Sequence, residues 1–172
     1  MTPHIETLCE SLAHALMARK LSMVTAESCT GGVIAASCTQ LSGSSAWFER
    51  GFVTYSNAAK SELLGVPASL IDVHGAVSAE VAKAMALGAL DHSHAHVSVA
   101  VTGIAGPTGG SAAKPVGTVW LAFAWRDLQQ AVHCEAMLER FQGSRSEVRY
   151  AAAQLALEHL TTLAEKVSPL ER

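Results

Sequence analysis

The hydrophobic period of the chain changes between Leu21 and Ala36, and this change constrains the fold more than any other stretch does. Leu21 to Val24 is a short apolar run suited to a buried strand, whereas Val33-Ile34-Ala35-Ala36 opens a run suited to a helix. Between them, Thr25-Ala26-Glu27-Ser28-Cys29-Thr30-Gly31-Gly32 supplies hydroxyls and two glycines where the direction must change. A strand that turns straight into a helix leaves hydroxyls and free backbone N–H groups at a helix amino terminus, where anions and oxyanions are stabilised. Ser28, Thr30 and Gly31 are therefore candidates for a site. The plainer alternative is that Ser28 or Thr30 caps the helix and Gly31-Gly32 makes a tight turn.

The rest of the chain continues this alternation. Ile5, Leu8, Leu12 and Leu16 fall on one face of a helix from about Pro3 to Lys20, with Thr2 as its N-cap. A loop over Leu41 to Ser45 leads to a β-rich strand at Gly51 to Tyr55, and Asn57 then caps a helix from Ala58 to Leu64. Gly75-Ala76-Val77-Ser78 introduces a helix from about Ala79 to Leu90. His96 to Thr102 reads as a buried strand that ends in a glycine-rich loop, Gly103 to Ser111, of a length that suits function. Pro115 to Trp125 and Gln130 to Glu139 read as two strands joined by a hairpin turn at Arg126-Asp127-Leu128. Ser144 and Glu147 make a capping box for a last helix to about Val167. This order predicts an α/β fold: a single-domain, three-layer α/β/α sandwich with a mixed sheet whose last strand pair is antiparallel.

Composition narrows the function classes. At 172 residues the chain has the length of one domain, and a net charge of −3 gives no basic footprint for nucleic acid and no polybasic segment for membranes. Cys9, Cys29, Cys38 and Cys134 form no C-x-x-C pair and read as reduced thiols. The first residues carry no basic region followed by an apolar core, and no charge-free apolar run is long enough to span a bilayer, so a cytoplasmic protein is expected. The common nucleotide, hydrolase and zinc signatures are missing, and Gly103, Gly106 and Gly109 are not spaced as a dinucleotide fingerprint. His92, His94 and His96 would share a face if they lay on a strand, but only Asp91 stands beside them. A solvated cluster is expected there, and no metal.

The remaining chemistry rests on hydroxyls and one amine. Lys60 is the third residue of the helix that Asn57 is expected to cap, and its side chain leans back towards Tyr55. The positive end of the helix dipole disfavours its charged form. If it is also desolvated, its pKa falls from about 10.4 towards neutrality, and the amine can take a proton from a serine. The alternative is an exposed lysine on a short surface helix. Arg145 stands at a first helical position, a usual place for holding a phosphate or carboxylate, and Thr102 ends a strand where open α/β sheets hold ligands.

Together, Thr-Ala-Glu-Ser-Cys-Thr-Gly-Gly (25 to 32), Gly-Ser-Ser-Ala-Trp-Phe (43 to 48), Gly-Phe-Val-Thr-Tyr-Ser-Asn-Ala-Ala-Lys (51 to 60), Gly-Ala-Val-Ser (75 to 78), Thr-Gly-Ile-Ala-Gly-Pro (102 to 107) and Lys-Pro-Val-Gly-Thr-Val (114 to 119) resemble the C-terminal domain family of the competence/damage-inducible protein CinA. The resemblance runs from about residue 5 to residue 165. It implies hydrolysis of the carboxamide of nicotinamide mononucleotide to nicotinate mononucleotide and ammonia, at a Ser/Lys type of site with neither cofactor nor metal. Carried over, the functional residues are Ser28, Ser45, Tyr55, Lys60, Thr102 and Arg145. Longer family members add an N-terminal domain resembling molybdopterin-binding proteins, which this chain lacks, so a free-standing deamidase is expected.

The residue types then suggest a mechanism. Neutral Lys60 deprotonates a serine, the alkoxide attacks the amide, and backbone N–H groups hold the oxyanion. Ser28 at its elbow is the preferred nucleophile, and Ser45, nearer Lys60 in sequence, is the alternative. Arg145 with Gly106, Gly109, Gly110 and Ser111 is expected to hold the 5′-phosphate. The small residues of the helices permit close contact between subunits, and a homo-oligomer is expected. A non-catalytic nucleotide-binding or protein-interaction module is the competing reading, and metal-dependent chemistry at the histidines comes last.

Overall fold

The structure is a computed structural model that describes residues 3–167; the Thr2 cap lies outside them. In chain order the elements are α1 (Pro3–Ala18), β1 (Met23–Glu27), α2 (Val33–Thr39), β2 (Phe48–Val53), α3 (Asn57–Leu64), α4 (Ala68–His74), α5 (Ala79–Asp91), β3 (Val97–Gly103), β4 (Thr118–Arg126), β5 (Val132–Arg140) and α6 (Arg145–Lys166). A single 3₁₀ turn, Ser44–Ala46, precedes β2. The five strands form one sheet in the order β2-β1-β3-β4-β5. β1 runs parallel to both β2 and β3, and β4 runs antiparallel to both β3 and β5, so the sheet is mixed as expected.

Period-2 alternation divides the core in two. Met23, Val97, Val99, Val101, Leu121 and Phe123 join α1, α2 and α6 on one face, whereas Val24, Ala26, Ala100, Ala122 and Ala124 join α3, α4 and α5 on the other. β1 is buried at every position because helices cover it from both sides. The alanines beneath α5 let that helix approach the sheet closely, and at Gly88 an added Cβ would run into the Leu64 carbonyl. No helix among the described residues is long and apolar enough to cross a membrane.

Several boundaries differ from expectation. α4 is not legible in the sequence, because its seven residues, bounded by Pro67 and Gly75, are too few to display a helical period. Ser56, not Asn57, caps α3: its hydroxyl accepts the Ala59 N–H, and Lys60 becomes the fourth helical residue. β5 starts at Val132 because Asp127 Oδ1 accepts the N–H groups of Gln129 and Ala131, which lengthens the hairpin turn. α5 runs to Asp91 and a turn follows, so His92, His94 and His96 share no strand. His96 Nδ1 instead accepts the Ser22 N–H at 2.9 Å, and His92 Nδ1 meets the Gly88 carbonyl at 2.8 Å. No three His, Cys, Asp or Glu side chains among the described residues come together as metal ligands.

Candidate active site

The carboxyl ends of β1, β2 and β3 lie at one end of the sheet, and the site is built there. β1 ends in Glu27, whose carboxylate folds over the start of α2. Its Oε2 accepts the N–H groups of Gly32 at 3.0 Å and Ile34 at 3.1 Å, and its Oε1 accepts that of Ala35 at 2.8 Å. The helix terminus expected to hold a ligand's anion therefore already holds one of the protein's own. Of the plainer reading, the cap is removed, because neither Ser28 nor Thr30 caps α2 and Gly32 at the N-cap has no side chain to do so, whereas Gly31 and Gly32 do make the tight turn, with φ of 57° and 93°. Substituting Glu27→Gln would turn an amide N–H₂ towards one of these donors. A loss of about 2–3 kcal/mol in urea denaturation is expected, because buried donors are left unpaired.

With the helix start closed by Glu27, Ser28 is free to face inward. Its N–H is pinned to the Val101 carbonyl at 2.9 Å, and its hydroxyl meets Lys60 Nζ at 3.1 Å. Lys60 reaches back along α3 to the end of β2, where Nζ also lies 3.0 Å from the Thr54 carbonyl and 3.4 Å from that of Tyr55. Only 1% of Lys60 is exposed, which rules out a solvated surface lysine. Burial pushes its pKa below the ordinary lysine value, against a smaller opposing effect of the Cys29 thiol. That thiol is pushed up to about 12, chiefly by its own burial, so it stays protonated and is no competing nucleophile. Lys60 Nζ has three oxygen partners, the two carbonyls and the Ser28 hydroxyl; an ammonium donates to all three, and an uncharged amine can give its two N–H groups to the carbonyls and turn its lone pair to the Ser28 hydroxyl.

Arg145 opens α6 behind the Ser144–Glu147 capping box. Its Nη1 donates to the Gly106 carbonyl at 2.9 Å and its Nη2 to the Tyr55 hydroxyl at 2.6 Å, so it ties the β2–α3 and β3–β4 connections to the helix start. Thr102 Oγ1 donates to the Ala76 carbonyl at 2.8 Å and so fixes the turn before α5 as a wall. Ser28, Tyr55, Lys60, Thr102 and Arg145 thus line one cavity of about 210 Å³. Asn57 also lines it, a residue that sequence reasoning spent on the helix cap that Ser56 supplies.

Other expected site residues lie elsewhere. Ser45 is exposed in the 3₁₀ turn before β2, whereas Lys60 follows β2; a six-residue strand separates their ends by roughly 20 Å. Thr30 and Gly31 do not line the cavity, and the Thr30 carbonyl accepts Arg149 Nη2 at 2.8 Å. Gly109, Gly110 and Ser111 are exposed outside it, because their loop folds on itself through paired bonds between Ser111 and Lys114. Gly106 does not line the cavity either, and its carbonyl accepts Arg145 Nη1.

Fold and site define the class: an enzyme domain of α/β/α type with a polar cavity at the carboxyl ends of its parallel strands. The chain belongs to the CinA C-terminal domain family, whose profile matches residues 5–164. It is similar to the nicotinamide-nucleotide amidohydrolase PncC of Enterobacter agglomerans, at 51% identity over 154 residues, 90% of this chain and 92% of that one. The protein of the same name from Pseudomonas putida is 50% identical over 159 residues, 92% of this chain and 96% of its relative. Among solved structures, the competence/damage inducible protein CihA from Agrobacterium tumefaciens superposes with a TM-score of 0.87 at 45% identity, over 95% of this chain and 97% of that one. The family expected from the ordered motifs is the family of the chain.

Proposed function

We propose that this protein hydrolyses the carboxamide of nicotinamide mononucleotide to nicotinate mononucleotide and ammonia, with Ser28 as nucleophile and Lys60 as general base. One observation carries the reading: a lysine 1% exposed, with its amine 3.1 Å from a serine hydroxyl inside a cavity. The names of the relatives support the substrate class.

In the first half-reaction Lys60 Nζ takes the Ser28 proton and Oγ bonds to the carboxamide carbon. The backbone N–H of Cys29, next to Ser28 in the cavity wall, is the donor of the turn placed to receive the oxyanion. The C–N bond then breaks, the leaving nitrogen takes the proton from Lys60, and ammonia departs. In the second half-reaction water attacks the ester, Lys60 accepts its proton, and Ser28 Oγ leaves and is reprotonated from Lys60. Tyr55 and Thr102 line the reacting space. Arg145 spends two of its five N–H donors within the protein, which leaves others for the 5′-phosphate.

The direct test is release of ammonia from nicotinamide mononucleotide by purified protein in the presence of EDTA. Binding of the nucleotide without turnover would instead favour a non-catalytic module. Arg145→Ala is expected to raise KM for the nucleotide by about 10–100-fold, as loss of a charge-assisted phosphate contact does, with a smaller effect on kcat. Steady-state kinetics with the mononucleotide would measure both, and an unchanged KM would remove the phosphate role.

A further inference from the structure

The two edges of the sheet are unlike. β2 has six residues, and its pairing with β1 shifts register between Met23 and Val24. β5 at the other edge has nine residues, pairs with β4 without a break, and contains no proline. Long, regular edges of this kind are rarely left open in soluble proteins. The direction of the unpaired groups follows from the ladder. Phe141 N–H donates to the Gly117 carbonyl and Asp127 N–H to the Ala131 carbonyl, each at 3.0 Å, which sets the hydrogen-bonded pairs at the odd-numbered residues of β5. The N–H and C=O groups of Val132, Cys134, Ala136, Leu138 and Arg140 therefore point away from β4, and no described residue pairs with them.

We propose that this edge joins the same edge of a second copy of the chain, antiparallel about a two-fold axis at Ala136, so that two five-stranded sheets become one continuous sheet. A two-fold interface must be self-complementary, and this strand is. With the axis at Ala136, Val132 faces Arg140 of the second copy, Cys134 faces Leu138, and Ala136 faces itself. Every outward residue meets an outward residue, and each both donates and accepts, across the whole length of the strand. An axis one residue away sets two like charges face to face: at Met137 it places Glu135 opposite Glu139, and at Glu135 it places that residue opposite its own copy. An axis two residues away would shorten the ladder. At Ala136 the side chains also agree. Leu138, 40% exposed in the single chain, covers Cys134 of the second copy, and Glu139 lies across from His133 with no like charges facing.

Sedimentation and residue-resolved amide exchange test this on the whole protein. The expected mass is twice the 18.0 kDa of the chain. In the concentrated protein, the amides of Val132, Cys134, Ala136, Leu138 and Arg140 are expected to exchange at least about tenfold more slowly than after dilution into the monomer. Those of the odd-numbered residues should stay protected in both states. Ala136→Pro removes an outward N–H without touching the β4 ladder and is expected to give a folded monomer by circular dichroism and sedimentation. A wild-type monomer at all concentrations would overturn the proposal. So would a dimer whose even-numbered β5 amides exchange freely, or a folded Ala136→Pro variant that remains dimeric. If Ala136→Pro fails to fold, the wild-type exchange pattern decides alone.

Discussion

Ser28→Ala is expected to lower kcat for ammonia release by about 10⁴-fold or more, as loss of a covalent nucleophile does, while the nucleotide still binds. Removing one oxygen leaves the backbone of the elbow in place, because Glu27 and the Val101 carbonyl hold it on either side. Ser45→Ala serves as the internal contrast. Its position beyond the amino end of β2 keeps it from Lys60 within one chain, and its activity is expected to remain within a few-fold of wild type. Steady-state kinetics of both variants would separate the two serines, and the reverse ranking would move the nucleophile to Ser45.

Lys60→Met should lower kcat by about 10³-fold or more, because the serine loses the amine proposed as its base. It also alters stability in a way that a mere packing residue would not. The folded-state pKa of Lys60 lies below its ordinary value of 10.5, with burial as the cause. Between the folded value and 10.5 the unfolded chain binds more protons than the native one, so stability rises with pH across that window. Below the folded value the native state bears the full cost of burying an ammonium. The stability of wild type relative to Lys60→Met is therefore expected to increase as pH rises towards 10.5, measured by urea denaturation at several pH values. The activity profile of wild type should rise with pH through the same group. A flat stability difference together with a retained pH–rate limb in Lys60→Met would place the base elsewhere.

Much of this was legible in the residues. The change of period across 21–36 located β1 and α2, and the lean of a helical side chain towards the amino terminus directed Lys60 to the end of β2. What escaped was competition between neighbours for one role. Ser56 and Asn57 are both good caps, and only the fold decides that Ser56 takes the cap and Asn57 the cavity wall. Glu27 is a carboxylate inside an apolar strand, and its service to three N–H groups of α2 depends on how sharply the chain turns at Gly31 and Gly32. Ser45 and Lys60 are close in sequence, yet a straight strand between them carries them to opposite ends of the sheet. The loop at Gly109 to Ser111 has the composition of a phosphate cradle, but Ser111 bonds to Lys114 and the segment stands exposed outside the cavity.

The central claim is that the Lys60 amine activates the Ser28 oxygen to form an ester with the nicotinoyl group. Intact-mass analysis of protein quenched in acid during turnover of nicotinamide mononucleotide, followed by peptide mapping, reads that ester directly. The account predicts an acyl adduct on the peptide containing Ser28, absent from Ser28→Ala and from Lys60→Met. An adduct mapped to Ser45, or ammonia release at the wild-type rate by Ser28→Ala, would contradict it.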